Sequence, residues 1–126
     1  MNVVAAVAVA FVAALHGYFM LLEMVLWTKP RGYKIFGLTP EFAEATKSLA
    51  ANQGLYNGFL VAGLVWGLIL SWSGSASAPG AFAVECFFLV CVIVAGLFGA
   101  ITVGRKILFV QAVPAAIALA LVWVAR

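Results

Sequence analysis

Two side chains set the problem: His16 and Glu23, seven residues apart inside one long apolar stretch. Seven helical residues turn through about 700°, so the two project within about 20° of each other, with Met20 between them and Trp27 continuing the stripe. An ionisable pair on one face of a helix in hydrocarbon is costly, and its default reading is a functional site. A helix-lining imidazole and carboxyl suit a proton relay or a counter-ion for a cationic solute. At 1.5 Å per residue the two lie roughly 10 Å apart along the axis, too far for a direct acid–base dyad.

Further polar groups gather at a comparable depth. Asn52, Gln53, Tyr56 and Asn57 cover an arc of about 140° on the second apolar segment. Thr102 leaves the third segment and Gln111 enters the fourth. With His16 and Glu23 they outline a shared polar pocket facing one side of the membrane. Each has an ordinary structural reading as well. A buried histidine donates to a backbone carbonyl more often than it catalyses. Glu23 near a helix end can snorkel to the interface or pair with Lys29. Interhelical amides each contribute only about 0.5–2 kcal/mol as helix-to-helix hydrogen bonds. The joint pattern favours a solvated pocket, because buried polar groups without partners are expensive in lipid.

The elements that must hold these groups are membrane helices. Apolar residues make up 67% of the 126-residue chain and charged ones 9%, with a mean hydropathy of +1.19. Apolar segments over 3–28, 49–72, 82–103 and 107–125 each reach the length needed to cross a hydrocarbon core of about 30 Å. The expected fold is all-α: a single polytopic domain, residues 1–126, forming a four-transmembrane-helix bundle. The first segment lacks a basic flank before it and is too long for a signal-peptide core.

Orientation follows the basic residues. Lys29, Arg31, Lys34 and Lys47 flank the first loop, and Arg105 with Lys106 the third, whereas the far side holds only Arg126. The positive-inside rule therefore puts the first and third loops in the cytoplasm and both termini outside. The net charge of +3 is explained by topology, leaving no reason to invoke nucleic acid. Anionic membrane lipids would meet the same basic face.

Within the first loop, Thr39, Pro40 and Glu41 form a helix start, so the second helix is expected over 40–72, with helices over 3–28, 82–103 and 107–125 completing the set. Phe42, Ala45 and Leu49 are expected on its buried face and Glu44 with Lys47 as an exposed pair. Ser73 to Gly80 is a small-residue turn. Glu85 is expected on the first turn of the third helix, as a surface carboxylate favoured by the helix dipole. Gly54, Gly58 and Ala62, and Gly96, Ala100 and Gly104, are small-residue ladders that admit close packing within the chain or across a homodimer. Pro114 is expected to free a carbonyl about one turn earlier, beside Gln111, and to kink the last helix.

The remaining residues exclude chemistry. Cys86 and Cys91, five apart on one helix, form neither a redox pair nor a disulfide. One histidine and one carboxylate are too few for a closed zinc site, and no phosphate loop or nucleophile–base motif occurs. No metal or cofactor is implied.

The stretch from His16 to Met24, the Asn52-Gln53-Gly54-Leu55-Tyr56-Asn57-Gly58-Phe59 block, the run from Cys91 to Gly96, and Lys106-Ile107-Leu108 followed by Gln111 resemble a bacterial family of small four-helix inner-membrane proteins, a domain of unknown function. The resemblance implies the fold and a bacterial inner-membrane location, and supplies no reaction.

Three classes of function fit. The foremost is a carrier or binding protein for a small polar or cationic solute, with Glu23 as counter-ion. The second is an intramembrane enzyme, of isomerase or transferase type, acting on a lipid-soluble substrate through Glu23 and His16 with Asn52, Asn57 and Gln111 orienting it. The third is an accessory subunit whose polar groups only join helices. The almost wholly apolar outer half weighs against a simple channel.

Overall fold

Every regular element in the computed structural model is helical, and the description covers residues 1–73 and 79–126. The expected turn over 73–80 therefore falls mostly outside the described residues. Among the described residues four helices are long and apolar enough to cross a membrane, making this an all-α, multi-pass membrane protein. They are α1 (Val3–Met24), α3 (Pro40–Trp72), α4 (Pro79–Thr102) and the continuous run Arg105–Val124. That run consists of α5 (Arg105–Ile107), a π-helical turn (Leu108–Ala112) and α6 (Val113–Val124). Between α1 and α3 lies a short helix, α2 (Pro30–Phe36), which composition alone does not announce. The chain divides into two compact units, residues 14–61 and residues 1–13 with 62–126.

In the first unit, residues 14–61, the chain turns sharply after Met24. Val25 and Leu26 both donate their backbone N–H to Leu21 O, at 3.0 and 3.1 Å, which ends α1 four residues before the expected limit of 28. The fold-back that follows depends on Gly32. A Cβ there would collide with Leu26 O and stand 2.8 Å from Trp27 O, so only glycine lets α2 close over the end of α1. Gly37, at φ 64°, then caps α2 in the left-handed region, and Leu38 N–H reaches Tyr33 O at 3.0 Å. Arg31 Nε and Nη2 donate to Tyr18 Oη at 2.9 and 2.7 Å, tying α2 to α1.

The start of α3 follows the sequence. Thr39 Oγ1 accepts Phe42 N–H at 3.2 Å, Pro40 is the first helical residue, and Lys47 and Glu44 form an exposed ion pair. The buried face is a different one from that expected. Ala43 and Ala50 are buried, while Phe42 and Leu49 are 55% and 74% exposed and Ala45 is also exposed. At Leu49, where the apolar segment begins, the outward face meets lipid, so a bulky side chain gains nothing by turning inward, and the small ones pack.

In the second unit the core is Val9, Val12, Leu64, Leu89, Val92 and Ala115, all fully buried, while Phe11, Ile69, Phe98 and Val124 point outward as lipid-facing residues do. Gly96 is the closest approach of α4 to the π-helical turn: a Cβ there would be 2.6 Å from Ala112 N and 2.8 Å from Ala112 Cβ. The ladder continues through Gly99 against Ile107 and not through Gly104, which has open space around it. The π-helical turn ends two residues before Pro114, whose missing N–H cannot serve the carbonyl one turn back. α4 begins at Pro79, three residues before the expected 82, so Glu85 sits in its second turn. There it is 1% exposed and accepts Ser71 Oγ at 2.8 Å, correcting the surface position expected for it.

Candidate functional site

The first unit assembles its polar groups where the last turn of α1 meets α3. Gly54 makes the approach: a Cβ there would be 2.5 Å from Met24 Cγ, 3.1 Å from Met20 O and 3.2 Å from Glu23 Cβ. Gly58, one turn on, faces Met20 Sδ. Between them, on the same face, Asn57 is 4% exposed, and its Nδ2 donates to both Glu23 oxygens at 3.2 Å. The two glycines thus bring an amide within reach of a carboxyl on the neighbouring helix.

The early end of α1 changes the position of Glu23. A 22-residue helix is about 33 Å long and just spans the hydrocarbon, so its penultimate residue is at the mouth of the span. A carboxylate there faces the negative end of the helix dipole, which disfavours it. Asn57 supplies the donor that the helix end cannot.

Beside this pair opens a cleft of about 230 Å³, walled by Glu23, Trp27 and Thr28 on one side and Lys47, Ser48 and Ala51 on the other. Trp27 is fixed by donating Nε1 to Thr46 Oγ1 at 3.0 Å and by packing on Phe36 with ring centroids 5.0 Å apart. Thr46 in turn donates to Phe42 O at 2.7 Å. The cleft therefore offers an acid, a rigid indole, two hydroxyls and the Lys47 side chain, whose ammonium is already engaged by Glu44.

Of the residues singled out from the sequence, Glu23 and Asn57 come together. His16 is fully buried, edge-to-face with Phe19 at 5.4 Å between centroids, and does not line the cleft. Asn52, Gln53 and Tyr56 are exposed; Asn52 and Tyr56 turn away from the Asn57 face, while Gln53 lies at its edge, one turn from Asn57. Gln111 is half-buried within the π-helical turn of the other unit. Thr28 and Ser48 carry no signal in the sequence, and Trp27, which with Tyr56 and Trp66 could line a cation site, is there explained more often by belt or bundle packing. Trp27 had continued the His16–Glu23 stripe, but the fold-back that carries it into the cleft depends on Gly32, which no spacing rule flags.

These features define a multi-pass, all-helical membrane protein with a hydrogen-bonded acid at the mouth of its first span. The chain belongs to the DUF1304 family, described as a protein of unknown function, which it matches over residues 10–123. No curated protein and no solved structure matches it.

Proposed function

We propose that this protein binds a small polar or cationic solute in the Glu23–Asn57 cleft, as the binding step of a carrier or receptor in the membrane. The observation that carries the reading is the pairing of an acid with one amide donor while the same acid borders an open cleft. Two donor contacts from a single Nδ2 leave the carboxylate capacity for further hydrogen bonds. A cation is the natural occupant, with Glu23 as counter-charge, the Trp27 ring as a π face, and Thr28 and Ser48 as acceptors. The basic flanks of the first loop favour a cytoplasmic mouth with both termini outside, and the family resemblance favours a bacterial inner membrane. The catalytic alternative is weaker: His16, its second acid–base group, is absent from the cleft lining.

Native mass spectrometry of purified protein tests this, together with calorimetric titration using tetramethylammonium as the probe cation. A co-purifying molecule or a measurable heat in the wild type, lost in Glu23→Gln while helicity is retained, is the expected result. Unchanged binding in Glu23→Gln would remove Glu23 from the site. Absence of any bound molecule or probe binding in both proteins would leave the polar pair a helix-to-helix contact.

A further inference from the structure

A second polar constellation, independent of the Glu23 cleft, is built where the end of α3 meets the start of α4 and the end of α6. Glu85 is 1% exposed within a spanning helix. Its seat comes from two residues one turn apart on α3. Gly67 leaves the space, since a Cβ there would fall 2.6 Å from Glu85 Cγ, and Ser71 donates its hydroxyl to Oε1 at 2.8 Å. Among the described residues no second donor reaches the carboxyl. Glu85 borders a cavity of about 130 Å³ that Met1 and Arg126 also line. The guanidinium carbon of Arg126 lies 4.8 Å from the Phe82 ring centroid, and among the described residues no ion pair joins it to Glu85. One small cavity is thus lined by an acid and an arginine that form no ion pair with each other.

Its depth is that of the lipid headgroups. Ser71 is one residue from the end of α3, and Arg126 lies just past the end of α6. Trp72 and Trp123, which flank these ends, are 71% and 59% exposed, as interfacial belt residues are.

We propose that this cavity binds a primary ammonium–phosphate zwitterion, the chemistry of a phosphatidylethanolamine headgroup, with the ammonium on Glu85 and the phosphate on Arg126. A buried carboxylate is costly unless a partner supplies charge and donors, and an ammonium brings both. Arginine presents a planar fork that matches phosphate oxygens. A trimethylated headgroup donates no hydrogen bond to the carboxyl, and a glycerol headgroup carries no positive charge to meet Glu85.

The test is lipid retention. Protein is reconstituted with equimolar phosphatidylethanolamine and phosphatidylcholine, extracted in detergent, and its bound lipid counted by native mass spectrometry. The wild type is expected to retain phosphatidylethanolamine about tenfold or more over phosphatidylcholine, the loss of one charge-assisted contact being of that order. Glu85→Gln is expected to erase the preference. Arg126→Gln, at a surface position where folding is not at stake, is expected to lower total retained phospholipid while keeping the preference. A thermal titration with free O-phosphoethanolamine separates the sources. A rise in Tm that Glu85→Gln removes assigns the site to the soluble zwitterion, and a response to the lipid alone assigns it to the headgroup in the membrane. Equal retention of both lipids without a response to O-phosphoethanolamine overturns the proposal, as does a preference that survives Glu85→Gln or unchanged total lipid in Arg126→Gln.

Discussion

Replacing Gly54 by alanine strikes the one point where α1 and α3 have no slack. The new methyl would stand 2.5 Å from Met24 Cγ, 3.1 Å from Met20 O and 3.2 Å from Glu23 Cβ. Met24 is 44% exposed and can rotate away. The Met20 carbonyl belongs to the helix backbone, so relief to ordinary contact requires α1 to retreat by about 0.3 Å. The same retreat lengthens the two 3.2 Å bonds from Asn57 to Glu23 to about 3.5 Å, where such bonds fade. Overpacking costs about 1–3 kcal/mol, and alanine returns about 1 kcal/mol in helix propensity. With the weakened polar pair, the net is a loss of about 1–3 kcal/mol. Gly58→Ala is the internal control. Its methyl would meet only Met20 Sδ, at 3.0 Å, near the end of a flexible chain, so propensity wins and the change is neutral or stabilising by up to about 1 kcal/mol. Unfolding in mixed dodecyl maltoside and SDS micelles, followed by circular dichroism, measures both. Tetramethylammonium titration should show weaker binding in Gly54→Ala alone. A Gly54→Ala protein as stable as wild type, or a Gly58→Ala protein less stable than it, would refute the close approach at Gly54.

Gly96→Ala should be harmful in the same assay by about 1–2 kcal/mol net, because its obstacle is the Ala112 backbone at 2.6 Å, which has no rotamer to change. Thr39→Ala removes the hydroxyl that caps α3 and should cost about 1 kcal/mol, read most directly as faster amide exchange at Phe42 with the rest of α3 unchanged. Equal exchange in the two proteins would dismiss that cap.

How much of this was legible in the chain depended on whether the signal was local. The α3 start was readable because a threonine, a proline and an acid announce it within three residues, and the Glu44–Lys47 pair follows from helical spacing alone. The end of α1 was not. Val25, Leu26 and Trp27 continue the apolar run, and what stops the helix is a fold-back secured at Gly32, several residues later. Leu49 misled because the inward-apolar rule for water-soluble helices loses its force where the solvent is lipid. Glu85 looked superficial only because its helix starts three residues before the apolar segment does. At the candidate site, Glu23 and Asn57 were visible as polar groups in apolar surroundings. The outward position of Asn52, Gln53 and Tyr56 was not, since an arc of polar residues does not say which part of it a neighbouring helix covers.

The π-helical turn at Leu108–Ala112 bears on how this chain can change in length. Such a turn holds one residue more than an α-helical turn, so it behaves as a single-residue insertion that the helix has absorbed locally. Without it, every position from Val113 onward would be rotated by about 100°, and Ala115, Ala118 and Val122 would leave the buried face they now form. Loss of one residue between 108 and 112 would regularise the helix while keeping those three inward. Loss of one residue from α6 itself would turn the face beyond it into lipid. The last span therefore has one five-residue window in which a deletion keeps α6 facing inward, bordered by a helix in which the same deletion does not.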